Sequence, residues 1–292
     1  MANNQNNYMM STENNGASVH ARRVLAYTVL VLVSFLCLFW FYLLFINSTR
    51  SNAELTRGFT PFPSTYLKTN WINLKNGTLP IFSGMVNSLI VATLTAALAT
   101  YFSTMTAYAI HAYDFKLKKF MFTFILMVMM IPTQVTALGF IQLIGKMGLD
   151  DKFTPLIVPA IASPAVFFYM KQYMDSVLPL SLVEAARIDG SGELRTFNSI
   201  VVPLMKPAIA VQAIFSFVTS WNNYFTPALV LHTDSKKTLP ILIAQLRSAD
   251  WLKFDMGQVY VMIAFSIFPV IIVYLILSKN IVGGLTLGGV KG

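Results

Sequence analysis

A chain of 292 residues that is 55% hydrophobic and only 11% charged, with a mean hydropathy of +0.62, lies far from the roughly 25% charged content of water-soluble domains, which excludes an ordinary soluble fold. Its net charge of +9 comes from basic residues scattered in short polar connectors; with no basic arm or basic–aromatic stripe, the expected counter-surface is anionic lipid, not nucleic acid. One cysteine, Cys37, and three histidines without shared spacing, His20, His111 and His232, leave no basis for a disulfide framework or a metal cluster.

Residues 1–19 are rich in Asn and are expected to be disordered. Arg22 and Arg23 then precede an apolar run from Val24 to Ile46. That run is longer than the apolar core of a signal peptide, about 7–15 residues, and ends without a small-residue cleavage site, so it reads as an uncleaved span. Further runs follow at approximately 85–110, 120–144, 153–173, 207–231 and 257–278. Each is near the ~20 residues a helix needs to cross a bilayer. All are continuous rather than alternating, which argues against a β-barrel. The expected fold is an all-α polytopic membrane protein with six transmembrane helices.

In the second run Ser88, Ala92, Ala96, Thr100 and Thr104 recur every four residues, and Thr95, Ala99, Ser103 and Ala107 form a parallel stripe. Small side chains let helices approach closely, so this span is expected to pack centrally. The third run carries Ile131-Pro132-Thr133-Gln134 within an otherwise unbroken helix, and the fourth, with Pro155, Pro159 and Pro164, is expected to be broken or kinked.

Between the fourth and fifth runs lies a polar connector, about 180–207. Ser181 is placed to cap a short helix, with Glu184 three residues on completing a capping box. Residues 182–188 are good helix formers and Asp189-Gly190 is a turn signal. A second amphipathic helix, about 193–202, puts Phe197, Ile200 and Val201 on one apolar face and is expected to end at Pro203. The product is a helix–turn–helix outside the membrane, with an apolar face ready for a partner.

The order Glu184-Ala185-Ala186, Asp189-Gly190, Phe197, Ile200, Pro203, Pro207 resembles the EAA loop of ABC importer permeases. With Ile131-Pro132-Thr133-Gln134, Ser220-Trp221-Asn222-Asn223 and the ending Gly284-Leu285-Thr286 to Val290-Lys291-Gly292, the chain is similar to carbohydrate importers, in particular their MalG-like subunits. Asn223 departs from the acidic residue often found there. The resemblance implies a permease subunit of an ATP-binding-cassette importer that moves a sugar or oligosaccharide by alternating access. It implies four kinds of partner: a second permease, two ATPase subunits holding ATP and Mg, an extracytoplasmic solute-binding protein, and the lipid bilayer. The coupling residues would be Glu184, Ala185, Ala186, Asp189, Gly190, Phe197 and Pro203. Glu184 would meet a basic residue on the ATPase, the alanines would allow close approach, and Gly190 would supply the turn.

The resemblance also sets orientation. Loop charge does not, since an inside N-terminus puts eleven basic residues inside and ten outside. With the connector cytoplasmic, residues 1–23 are a cytoplasmic tail, 24–278 the six-helix permease domain and 279–292 a second cytoplasmic tail that reaches between the ATPases. The tail glycines Gly283, Gly284, Gly288 and Gly289 lack the lysine of a Walker loop, so ATP hydrolysis belongs to partner chains and this chain binds no cofactor. The loop from His232 to Met256, with Lys236, Lys237, Arg247, Asp250 and Trp251, is expected to reach toward the binding protein.

Gln134, Trp221, Asn222 and Asn223 are the candidate substrate pathway, because Asn and Gln bond sugar hydroxyls and Trp offers an apolar face. A hydrogen bond between helices fits each of them as well. An ion-coupled secondary transporter is the rival transport reading, yet the six runs contain no Asp or Glu to couple ions. An intramembrane enzyme would need a nucleophile with a base, or metal ligands, in a span.

Overall fold

A computed structural model describes residues 2–248 and 255–288, with side chains over 19–248 and 255–280. The chain forms two compact units, one of residues 1–74 with 255–264, the other of 75–254 with 265–292. Every regular element among the described residues is helical. Among the described residues five helices are long and apolar enough to cross a bilayer, and a helix pair bent by 97° brings the number to six where that pair is counted as one span. This agrees with the all-α, six-span membrane architecture expected from the sequence.

The first unit begins with α1 (Ala2–Ser48). The helix is continuous from the apolar run back to Ala2. Once the apolar run has nucleated a helix, each added residue meets only the small propagation term. Helix α2 (Asn52–Thr56) opens with a capping box: Ser51 Oγ accepts from the Glu54 N–H at 3.3 Å, and Glu54 accepts from the Ser51 N–H at 2.9 Å. That backbone donor holds the Glu54 carboxyl below its ordinary range. Helix α3 (Leu67–Asn76) supplies buried Asn70, whose amide donates to the carbonyls of Ser48 and Arg50 at 3.1 and 2.8 Å. Gly257 lies against this knot, where a Cβ would stand 2.7–2.8 Å from Asn70 and the Arg50 carbonyl, so only glycine fits.

The second unit is built on α4 (Ile81–Ala112). Ser88, Ala92, Ala96, Thr100 and Thr104 are all buried. The Thr100 and Thr104 hydroxyls bond back to the carbonyls of Ala96 and Thr100 at 2.8 and 2.7 Å. The Ser88 hydroxyl accepts from the Leu239 N–H at 2.8 Å; with its polar groups satisfied, the stripe serves as a close-packing surface. Helix α5 (Lys118–Val128) and α6 (Thr133–Lys146) are the bent pair. The sequence predicts one helix over 120–144; the structure breaks it at 129–132. Pro132 disfavours helical backbone at Ile131 and itself sits at ψ 133°, so α6 must start afresh.

The fourth span breaks as expected, into α7 (Thr154–Ile157), a 3₁₀ turn over Val158–Ile161, and α8 (Pro164–Val177). After α9 (Leu180–Ile188) the chain enters α10 (Glu193–Thr196), a π turn over Phe197–Val201, and α11 (Val202–Trp221). These three pieces form one 29-residue helix. Pro203 therefore does not end a helix. The wide turn absorbs it: the Val202 N–H reaches back five residues to the Phe197 carbonyl, so the ring is spared its usual clash. The fifth span ends at Trp221, earlier than the predicted 231, and α12 (Phe225–Val230) is separate. Helices α13 (Leu239–Arg247) and α14 (Met256–Gly288) complete the fold.

Candidate coupling surface and transport cavities

Helix α9 starts at Pro179, which stands as N-cap with φ −66° and ψ 135°. Ser181 is already inside the first turn, and no side chain caps the helix, so the expected capping box is absent. Proline fixes the helix-entry angle and holds the cap place ahead of the serine. The other end forms as the sequence predicts. Gly190 adopts φ +75°, its N–H donates to the Arg187 carbonyl at 3.0 Å, and the Ser191 N–H reaches the Ala186 carbonyl at 2.9 Å. These two bonds are a complete Schellman cap, with Asp189 as C-cap residue.

Along α9, Val183 and Ala186 turn into the core, while Glu184, Ala185, Ile188 and Asp189 are exposed. Ile188 is 86% exposed, an outlying apolar side chain at the tip. The face expected to await a partner is instead used internally. Phe197 and Val201 are buried, and the Phe197 ring meets Tyr101 edge-on at 5.5 Å and Tyr108 at 5.8 Å. The reason is that the second helix continues into α11 and so packs along α4. Pro203 is exposed at the start of α11.

The turn after α9 is braced by charge. Glu193 accepts from Arg187 Nε at 2.9 Å and from the Tyr108 hydroxyl at 3.1 Å, and the Arg187 guanidinium lies 5.0 Å from the Tyr113 ring centre. The bond to Glu193 holds the Arg187 proton more firmly than usual. These contacts tie the turn after α9 to α4.

Two cavities lie in the second unit, of about 460 and 800 Å³. Thr133, Ser220 and Asn223 line both. Of the pathway residues predicted from sequence, Asn223 is on these walls. Trp221 is 4% exposed and stacks on Phe217 at 5.7 Å, Asn222 is exposed at the end of α11, and Gln134 is exposed on α6; none of these three lines either cavity. Sequence reasoning missed Gln212, Ser216 and Thr219, which line the larger cavity together with Tyr169. The signal was available: Gln212, Ser216, Thr219 and Ser220 fall at three- and four-residue steps along α11, and Asn223 continues the series just past its end.

At the far end Asp151, in left-handed backbone at φ 54°, joins the α6–α7 corner to the loop after α12. It accepts from the N–H groups of His232 and Thr233 at 2.9 and 3.1 Å, from the Thr233 hydroxyl at 2.7 Å and from Lys236 Nζ at 2.8 Å. Lys236 first, then Thr233 and the His232 N–H, hold its carboxyl well below the usual range. A depressed carboxylate contributes stability above its unfolded-state value, about 3.9, and loses it as pH falls through the folded value. Asp151→Asn, which tolerates the same backbone, is expected to speed hydrogen exchange over residues 230–238 severalfold at neutral pH. Wild type should show that increase only in strong acid. Lys237 is likewise engaged, with Asp234 at 2.5 Å, and Arg247 is exposed. Asp250, Trp251 and residues 289–292 of the tail lie outside the described residues.

Comparison with known proteins gives a consistent picture. Residues 102–286 match the family model described as "Binding-protein-dependent transport system inner membrane component". The chain is 36% identical over 268 residues to the arabinooligosaccharides transport system permease protein AraQ of Bacillus subtilis (strain 168), covering 90% of this chain and 93% of the relative. It is 28% identical to the lactose transport system permease protein LacG of Rhizobium radiobacter, over 92% of this chain and 96% of that one. In fold it is similar to a chain in the crystal structure of a bacterial ABC transporter that imports the acidic polysaccharide alginate, with a TM-score of 0.75, 21% identity, and 88% and 95% of the two chains covered.

Proposed function

The chain belongs to the family of binding-protein-dependent transport system inner membrane components, and from that premise we propose that it is the MalG-type half of a sugar importer whose α9 is the coupling helix. At family level it is a permease subunit of an ATP-driven solute importer, a multi-pass membrane protein and a transport component, not an enzyme. Permeases of this kind work with a paired permease, ATPase subunits and an extracytoplasmic binding protein. In the proposed arrangement two such ATPases, holding ATP and Mg, seat α9 on the cytoplasmic side, and both termini share that side.

The observation that carries the reading is α9 itself. It stands outside the apolar spans with Glu184, Ala185 and Ile188 exposed, closed by a Schellman cap and braced to α4 through Glu193. A short helix fixed at its end transmits rigid-body motion, as alternating access requires. Glu184 meets a basic residue of the ATPase, and Ala185 allows close approach; Ala186, Asp189, Gly190, Phe197 and Pro203 keep the arm in shape.

The sugar path runs past Asn223 and the polar stripe of α11, with Gln134, Trp221 and Asn222 near its mouth. That relatives are named for arabinooligosaccharides and lactose supports an oligosaccharide cargo, and amide and hydroxyl groups on apolar walls suit a polyhydroxylated ligand. The test is a cysteine at Ala185 in a Cys37→Ser background. It is expected to cross-link to a co-purified ATPase and to resist membrane-impermeant thiol reagents applied outside. Labelling from outside in intact cells sinks the reading.

A further inference from the structure

Helices α4 and α11 carry the same kind of residue at the same spacing and use it in opposite ways. On α4 the Thr100 and Thr104 hydroxyls bond back to the carbonyls four residues earlier. On α11 Ser216, Thr219 and Ser220 make no such bond, nor any other to protein among the described residues, and all three line the cavity of about 800 Å³. A helical serine or threonine either bonds the preceding turn or points away from it. These three point away, into the chamber.

Gln212 stands in the same row. Only 8% of the residue is exposed, yet its amide has no hydrogen-bond partner among the described residues and it lines the same cavity. Leaving a buried amide unpaired is costly, and the bond to a neighbouring helix that such a residue ordinarily makes in a span is absent here. Its partner must therefore come from the cavity. At the other end of the row Asn223 Oδ1 accepts from the Thr226 N–H at 3.3 Å, which leaves the amide N–H groups to the same space. No Asp, Glu, Lys, Arg or His lines either cavity among the described residues. The cation nearest in sequence, Lys171, stands two residues past Tyr169, and its ammonium is held by both Asp175 oxygens at 2.6 Å.

We propose that Gln212 is a cargo-contact residue, one end of a row through Ser216, Thr219, Ser220 and Asn223 that takes an uncharged polyhydroxylated cargo and turns away phosphorylated or carboxylated ones. This role rests on the transport path proposed above and adds to it the contact residue and the charge of the cargo. Amides and hydroxyls both donate and accept, as sugar hydroxyls do, so the bonds a neutral sugar surrenders to water on entering are remade on this wall. A phosphate or carboxylate surrenders far stronger hydration, and the wall holds no cation to replace it. Tyr169 and Phe215, both exposed where they line the cavity, offer flat apolar faces to the C–H edges of the sugar.

The test uses the intact importer in nanodiscs, with Ser216→Cys as reporter in the Cys37→Ser background and adducts read by mass on this chain. The probes are methanethiosulfonates of matched size, one bearing a sulfonate and one a quaternary ammonium. A charged cleft enriches the opposite ion by roughly 10- to 1,000-fold, so an uncharged one is expected to keep the ratio of the two rates within about threefold of that for free cysteine. Arabinotriose or lactose at high concentration is expected to slow the labelling, and lactobionate, a disaccharide ending in a carboxylate, to leave it unchanged. Adding Gln212→Leu is expected to keep the rate ratio, which shows the chamber formed, and to raise the sugar concentration for half protection roughly tenfold, the loss of one hydrogen bond of ordinary worth. Several outcomes overturn the contact: no labelling in either the resting or the nucleotide-trapped state, a rate preference of roughly tenfold or more for either ion, protection by lactobionate equal to that by lactose, no protection by either neutral sugar, or unchanged protection in Gln212→Leu. Any of these beside an Ala185 cysteine cross-linked to the ATPase leaves the coupling reading standing. The expected pattern in a complex where that cysteine finds no ATPase supports the contact and overturns only the coupling reading.

Discussion

Gly190→Pro is expected to reach the membrane in normal amount and to reduce uptake to background. At φ +75° the position is left-handed, whereas proline is confined near −65°. The substitution also removes the N–H that donates to the Arg187 carbonyl at 3.0 Å. Space is not the issue, because a Cβ at Gly190 would meet nothing within 4 Å; the whole effect is in the backbone. Gly190→Ala, which must bear a left-handed conformation at about 1–2 kcal/mol, is expected to retain partial uptake, and Gly190→Asn, which visits that region readily, to retain most. Insertion is set by the apolar spans and should not change in any of the three. The checks are uptake of labelled sugar in whole cells and quantitative blotting of membranes. Proline at wild-type uptake would remove the turn from the transport cycle. Glu184→Lys is the companion: it reverses charge on the exposed face and leaves every internal contact in place.

Phe197→Ala carries the largest expected loss of stability. Its ring is 1% exposed, held between Tyr101 and Tyr108 of α4, at the point where α10 turns into α11. Truncating a buried Phe ordinarily costs about 3–5 kcal/mol, through lost burial and the void left behind. Here the void would lie beside Glu193, whose bond to Tyr108 depends on the same ring packing. Thermal unfolding of the detergent-solubilised chain should show a marked drop in Tm, with Phe197→Leu losing much less. Equal stability for the two variants would mean the ring is not a core element.

The sequence made some features of this fold legible and hid others. Gly190 could be read because a left-handed cap needs glycine wherever the helix sits. The stripe Ser88, Ala92, Ala96, Thr100, Thr104 could be read because close approach leaves a periodic trace. Proline was the ambiguous sign. Pro132 breaks its span, while Pro203 sits in a continuous helix, since a wide turn can be packed against α4 at one place and is not formed at the other. Single-chain patterning does not carry that information. The burial of Phe197 was misread for a related reason: an amphipathic face looks the same whether its cover is another protein or the chain's own next helix. Asp151 left no signal, since its four donors arrive from residues about eighty positions away.

The wide turn at residues 197–201 has a geometric corollary. It holds one residue more than an α-helix would over the same advance, so winding it down would swivel the segment below by about 100° against the segment above. Glu193 rides on the lower segment and Asn223 follows the upper. Pro203 bars that swivel, because the tighter winding would drive its ring into the carbonyl of residue 199. A single pyrrolidine thus sets the azimuth between the segment that carries Glu193 and the cavity wall that includes Asn223.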